Sequence, residues 1–297
     1  MTKHGLTYLV HIAAPVPFRT TDKAPNGDPR MFQPIATTLI HGATDAVLVD
    51  PPMTMAQAEE VGDWIAATGR TLRGIYVTHG HGDHWFAAGP LLERFPGVPV
   101  LASPSTIAVM RFHASAQGRA IWEDNFGADL LPPPESVAAV RPTCPAGGRF
   151  ELEGHELRVV EVGHTDTDAT TVLHVPSIDL VIAGDAVYNG IHLYLAETAD
   201  GGLHRWLAAL EQIAALRPSH VVAGHKNPAL PDVPAAIAQT AAYLRDVETV
   251  SARANSAREF FDAMLELHPD RLNPSALWFW GALVLFPSHP GQGASSA

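Results

Sequence analysis

The run Thr78-His79-Gly80-His81-Gly82-Asp83-His84-Trp85 places three imidazoles and one carboxylate within six positions, at the end of the apolar stretch Leu72 to Thr78 that reads as a β-strand. Gly80 and Gly82 let the backbone turn tightly, so side chains that a strand would send to opposite faces can converge. His79 and His81 share a face by alternation, and the turn redirects Asp83 and His84. This pattern suits two adjacent metal ions, one served by the first pair and one by the second.

Working outward, the same device recurs three times. His164 follows Gly163 after the strand Glu156 to Val162, Asp185 follows Gly184 after Leu180 to Ala183, and His225 follows Gly224 after His220 to Ala223. A glycine before each polar residue allows close backbone approach where a strand opens into a loop. Five of the 16 histidines and two aspartates are thereby expected at one edge of a sandwich. This hard nitrogen and oxygen set suits zinc, with iron, manganese or cobalt as alternatives.

Composition narrows the classes. The chain has 297 residues, 46% hydrophobic and 17% charged, which describes a folded chain and not a disordered one. A net charge of -12 opposes binding to a phosphate backbone, so nucleic acid is not an expected partner. The only cysteine, Cys144, can build neither an intramolecular disulfide nor a cysteine-ligated zinc or iron-sulfur site. No stretch reaches the roughly 18 apolar residues of a membrane helix. The run Leu6 to Ala14, broken by His11, reads as a first strand and not as a leader, so a cytoplasmic protein is expected, with no membrane partner.

Strands are expected at Ile35 to Ile40, Ala46 to Asp50, Val98 to Ala102 and Thr170 to Val175, and helices at Met55 to Ala67, Trp85 to Phe95 and Leu203 to Leu216. Ser103 to Leu131 reads as an irregular helix ending at Pro132-Pro133-Pro134. Beyond Pro234 the chain is helical to His268, followed by an aromatic segment, Leu277 to Phe286. The tail Gly291 to Ala297 is small and polar and is expected to fray. Each half runs from strands to helix. The expectation is therefore one α+β domain over 1–297, two sheets between helical layers, with a core at about 35–230, a helical insertion at about 103–135 and a helical C-terminal extension at about 232–290.

The ordered set His79-x-His81-x-Asp83-His84, Gly163-His164, Gly184-Asp185 and Gly224-His225 closely resembles the metallo-β-lactamase superfamily. The resemblance covers about residues 35 to 230 and implies a four-layer αβ/βα sandwich with a dinuclear site at one edge. It implies His79, His81 and His164 on one metal, Asp83, His84 and His225 on the other, and Asp185 bridging both. Two divalent ions, zinc foremost, would share a bridging hydroxide able to attack a carbonyl carbon. Thr78, Thr165 and Asp166 are the candidates to orient the imidazole N–H groups.

Departures narrow the branch. Cys144 lies outside every motif, so β-lactamases with a cysteine ligand do not match, and Asp185 argues against the branch that lacks the bridging carboxylate. Glyoxalase II shares the seven ligands but holds glutathione with basic side chains after the bridging Asp, whereas Asp185 to Gly202 has no Lys or Arg. Flavodiiron proteins need a Glu within the first motif. Asp185-x-x-Tyr188 is similar to N-acyl homoserine lactone lactonases, in which the phenol serves the oxyanion, so Tyr188 and Asp83 are the candidate catalytic residues, Asp83 passing a proton to the leaving alkoxide. Tyr188 packed under its loop is the competing reading. A solvated or structural role is expected for His113, His192 and Lys226. Trp278-Phe279-Trp280, with Met110, Phe112, Trp122 and Phe126, suggests an apolar pocket wall.

The expected function is a dinuclear hydrolase of a lactone or carboxylic ester with apolar substituents. A β-lactam or thioester hydrolase, a mononuclear iron persulfide dioxygenase and a non-catalytic metal-binding protein are the alternatives. The aromatic C-terminal stretch leaves a homodimer open.

Overall fold

In the computed structural model, which describes residues 5–287, β2 (Ile35–His41) is buried at every position, as befits a strand covered on both faces. The sheet is built outward from it. β1 (Thr7–Ala13) pairs antiparallel along its whole length with β2, which settles the reading of the N-terminal apolar run as a strand. β3 (Asp45–Val49) pairs antiparallel with β2; β4 (Thr71–Tyr76) and the two-residue β5 (Val100–Leu101) then add parallel. On the other side of β2 stand β10 (His220–Lys226), β9 (Leu180–Asn189), β8 (Thr170–Val175), β7 (His155–Gly163) and β6 (Arg149–Leu152), in that order.

The two sheets expected from sequence are the halves of one ten-stranded sheet. They join at β2 and β10 through the single register pair Ile35 and His225, and the sheet folds over so that its halves face each other. Tyr76 of β4 stacks on Phe150 of β6 with ring centres 6.0 Å apart, and its hydroxyl lies 2.6 Å from Thr171 Oγ1 of β8. Ile40, Val49, Leu157, Leu173 and Val222 fill the space between the halves. One outer face is covered by α1 (Met55–Ala67), α2 (Ala88–Arg94), α3 (Pro104–Ala114), α4 (Ala116–Phe126) and α5 (Pro134–Ala139). The other is covered by α6 (Gly202–Ala215), α7 (Ala235–Ser251) and α8 (Ala257–Leu267). The layers run helix, sheet, sheet, helix, the expected α+β sandwich.

Two segments differ from expectation for local reasons. The predicted helix Trp85 to Phe95 starts late: Gly82–His84 forms a 3₁₀ turn, the Trp85 indole donates to the Gly80 carbonyl at 3.0 Å, and α2 begins only at Ala88. The irregular helix at 103–131 is two helices broken at Ser115, whose Oγ accepts from Gly118 N and so caps α4. After Pro274–Ala276, the aromatic segment Leu277–Ala282 winds as a π-helix. The tail Gly291 to Ala297 lies outside the described residues.

At one turn, Glu153 ties the halves together. Its carboxylate, on the β6–β7 turn, accepts from the backbone N–H groups of Ala43, Thr44 and Asp45 on the β2–β3 turn. Those three bonds hold its pKa down at about 2, against an ordinary 4.5. A depressed carboxylate contributes stability that is complete above 4.5 and is lost as the pH falls through the folded value. Glu153→Gln is therefore expected to melt at a lower temperature than the parent protein at neutral pH, and the gap should close between pH 4.5 and about 2. A gap that persists unchanged at the acid end, in melting curves recorded across that range, would contradict this role.

Candidate metal centre

The ends of β4, β7, β9 and β10 and the 3₁₀ turn converge on one edge of the sandwich. There the functional side chains fall into two groups, each with ligand atoms within 4.8 Å of one another: Asp83, His84, Asp185 and His225, and His79, His81 and Asp166. In the first, His84 Nε2 lies 3.1 Å from Asp83 Oδ2 and 3.2 Å from Asp185 Oδ1, while His225 Nε2 lies 3.1 Å from Asp185 Oδ2 and 3.4 Å from Asp83 Oδ2. In the second, His81 Nδ1 lies 3.3 Å and His79 Nε2 4.0 Å from Asp166 Oδ2. Asp185 Oδ2, 4.0 Å from His79 Nε2, stands between the groups. Six of the seven ligand candidates from the sequence are thus brought together. His164 lies outside both groups, and Asp166, read from sequence as an orienting residue, lies inside one.

Backbone conformation makes the convergence possible. Gly184 sits at φ +50°, and a Cβ there would stand 2.3 Å from Thr78 Oγ1. Across the β9–β10 ladder, a Cβ on Gly224 would stand 2.1 Å from Asp185 Oδ1, so the glycine before His225 gives the carboxylate its space. The ladder shifts register on both sides of Ala223, which turns His225 toward Asp185.

Three of the imidazoles, His79, His164 and His225, are held by the nitrogen away from the centre. His79 Nδ1–H donates at 3.1 Å to Thr78 Oγ1, whose own hydroxyl donates to Asp50 Oδ2 at 2.7 Å. His225 Nδ1–H donates to the Pro34 carbonyl at 2.8 Å, His164 Nδ1–H to Asp168 Oδ1 at 2.6 Å, and His84 Nδ1 lies 3.3 Å from Asp50 Oδ2. Of these, His79, His84 and His225 point Nε2 toward the centre. His81 is reversed: its Nε2 lies 3.3 Å from Glu197 Oε1 and its Nδ1 faces Asp166. Fixing one ring nitrogen to free the other is how proteins prepare histidine for a metal.

The electrostatics agree. Burial holds His79 down at about 3, keeping its imidazole neutral and its lone pair available. Burial also disfavours charge on His225, yet Asp185 and Asp83 outweigh it and raise the pKa to about 9. At His81 the facing carboxylates of Asp166 and Glu197 likewise overcome burial and raise it to about 10. The buried carboxylates demand positive charge. His79 Nε2, His84 Nε2, His164 Nε2, Asp166 Oδ2 and Asp185 Oδ1 are buried with no protein hydrogen-bond partner, an arrangement that would be costly unless a cation completes it. The nitrogen and oxygen donors of the two groups fit divalent metal ions.

The remaining candidates divide. Asp83 lines the cavity beside the centre; Tyr188 is fully buried, donates to Asp185 Oδ2 at 3.1 Å, and does not line it. His192 is buried, its Nδ1 2.9 Å from the Tyr243 hydroxyl, and Lys226 pairs with Asp232. His113 lines the cavity, as does Trp280, while Trp278 packs on Phe261. Sequence reading missed Asp50, Asp168, Glu197 and Tyr194. Asp50 had a signal, as the one carboxylate closing the β3 run, and it adopts the left-handed region at φ +54°.

The sequence profile of the metallo-beta-lactamase superfamily matches residues 31–225, and the chain belongs to that superfamily. Among curated proteins, the hydroxyacylglutathione hydrolase of Xylella fastidiosa strain M23 is 26% identical over 190 residues; these are 64% of this chain and 58% of that protein, so the chain matches little more than half the relative's length. Among solved structures, a beta-lactamase domain protein from Burkholderia ambifaria superposes with a TM-score of 0.62 at 21% identity, covering 95% of this chain and 85% of that one. A metallo-beta-lactamase family protein from Thermus thermophilus gives 0.60 at 22% identity, covering 93% and 91%. These structural likenesses show the fold.

Proposed function

We propose that the protein is a dinuclear metal-dependent hydrolase, most consistent with zinc, acting on a lactone or carboxylic ester with apolar substituents. The observation that carries this reading is the cavity beside the centre. It has a volume of about 260 Å³, reaches Asp83, Asp185 and His225, and is walled by Phe18, Phe32, Phe112, Trp122, Phe126 and Trp280. Among the described residues, no Lys or Arg lines it. Such a wall favours an apolar acyl or alkoxy group and offers no Lys or Arg to a glutathione carboxylate. Glu197, at the same wall, opposes anions further.

Two divalent ions in this donor set would acidify a water to a pKa near about 7 and polarise a carbonyl. Asp83, which lines the cavity, is assigned the delivery of a proton to the leaving alkoxide. Tyr188 holds Asp185 in orientation through its hydroxyl, a supporting role in place of the oxyanion role read from sequence. The two donor groups favour a dinuclear hydrolase over a mononuclear iron dioxygenase.

The test is a substrate panel on zinc-loaded protein: p-nitrophenyl butyrate, an N-acyl homoserine lactone, S-lactoylglutathione and a chromogenic cephalosporin. The ester or the lactone should be cleaved with kcat/KM at least about tenfold above the thioester, the scale on which a hydrophobic pocket discriminates. Chelation should abolish turnover. Preferred cleavage of S-lactoylglutathione or of the cephalosporin would overturn the substrate class, and chelator-insensitive turnover would overturn the metal dependence.

A further inference from the structure

The wall of the cavity contains one imidazole outside both ligand groups. His113 is on α3, and the Trp122 indole of α4 donates to its Nδ1 at 2.9 Å in a buried contact. An indole N–H can only donate. Nδ1 must therefore carry the lone pair, and a neutral ring in that state has its proton on Nε2. No protein acceptor meets His113 Nε2 among the described residues, and the side chain borders the same cavity as Asp83 and Asp185. Its ring stands edge-on to His81, centres 5.7 Å apart at 87°.

The pair is rigid. A Cβ on Gly118 would lie 2.1 Å from the Phe112 carbonyl oxygen and 2.7 Å from His113 Cα, so only glycine lets α4 approach α3 at this level. Trp122 is packed against Phe86 at 5.5 Å and Phe32 at 6.0 Å between ring centres. Gln33, another polar lining residue, donates one amide hydrogen to the His192 carbonyl. Tyr188 is off the wall, its hydroxyl given to Asp185.

We propose that His113 is a substrate-contacting hydrogen-bond donor, preset as the Nε2–H tautomer by Trp122, that serves the carbonyl oxygen and the oxyanion that develops from it. The assignment rests on the hydrolase reading above. A neutral N–H fixed before substrate arrives needs no reorganisation when negative charge grows on oxygen, the condition under which such donors are most effective.

The experiment compares zinc-loaded parent protein with His113→Met, His113→Gln and Trp122→Phe, using p-nitrophenyl butyrate and an N-acyl homoserine lactone. Metal content and melting temperature are recorded alongside, together with ¹⁵N spectra of histidine-labelled protein. In the parent, His113 should show the Nε2–H tautomer, and Trp122→Phe should mix the two tautomers. His113→Met should lower kcat about 100-fold with KM and metal content little changed, the cost of removing one oxyanion donor. Gln offers an oxygen to Trp122 and an N–H to the cavity, so His113→Gln should recover part of that loss. An Nδ1–H tautomer in the parent, or His113→Met with unaltered kcat in an active enzyme, would overturn the assignment. If Met destabilises the fold, a His113→Gln enzyme no better than His113→Met overturns it equally. A parent protein inert toward both substrates fails at the earlier step and removes the hydrolase reading together with this role.

Discussion

Asp185→Asn is expected to leave the protein with one metal ion or fewer per chain after desalting and to abolish hydrolysis. Asp185 meets both groups: Oδ1 lies 3.2 Å from His84 Nε2, and Oδ2 lies 3.1 Å from His225 Nε2 and 4.0 Å from His79 Nε2. No other described carboxylate lies within 4.0 Å of a histidine from each set. Asn keeps the shape but removes the charge and turns one acceptor oxygen into a donor. The amide hydrogens would then point at lone pairs that the protein has arranged to face a cation. The loss of affinity should exceed the roughly 10- to 100-fold that follows from removing an outer partner of a ligand. Metal analysis by mass spectrometry on the desalted variant decides it, and two ions retained at parental affinity would remove Asp185 from its bridging place.

The site was legible in sequence where geometry is local. His79, His81, Asp83 and His84 lie on one tight turn, and Gly184 and Gly224 mark the places where a strand must yield to a ligand. These are properties of a few adjacent residues. The residues that were missed depend on contacts across the fold. Asp50 reaches Thr78 and His84 from the end of β3 by parallel pairing with β4, and Glu197 meets His81 across 116 positions of chain. His113 reads as a bland residue until α4 places Trp122 on its Nδ1. The same distinction explains the fold. Strand positions followed from periodicity, whereas the closure of two apparent sheets into one depends on the β2–β10 seam, where Ile35 and His225 are 190 positions apart. Tyr188 shows the reach of a short motif: from sequence it suggested an oxyanion donor or a packed side chain, and in the fold it is buried with its hydroxyl on Asp185 Oδ2.

The second large effect concerns the group around His79 and His81, for which resemblance implies His164 as third ligand and the structure supplies Asp166. His164 has the preparation of a ligand: Asp168 holds its Nδ1–H at 2.6 Å, and its Nε2 is buried and unpartnered. A Cβ on Gly202 would stand 2.8 Å from that Nε2, so the ring packs against the start of α6. Asp166 has the position of one, with Oδ2 3.3 Å from His81 Nδ1, likewise buried and unpartnered. Charge favours engaging both. Three neutral imidazoles beside the shared carboxylate of Asp185 would leave a divalent ion with much of its charge in a buried site, whereas a second carboxylate lowers that charge further where burial makes it most costly. Asp166→Asn is therefore expected to cost the ion at this group as severely as His164→Gln does, each variant falling from two ions per chain to about one. Cobalt substitution followed by titration of the visible absorption bands would report the two groups separately. Asp166→Asn binding two cobalt ions as tightly as the parent, while His164→Gln binds one, would return Asp166 to the orienting role read from sequence.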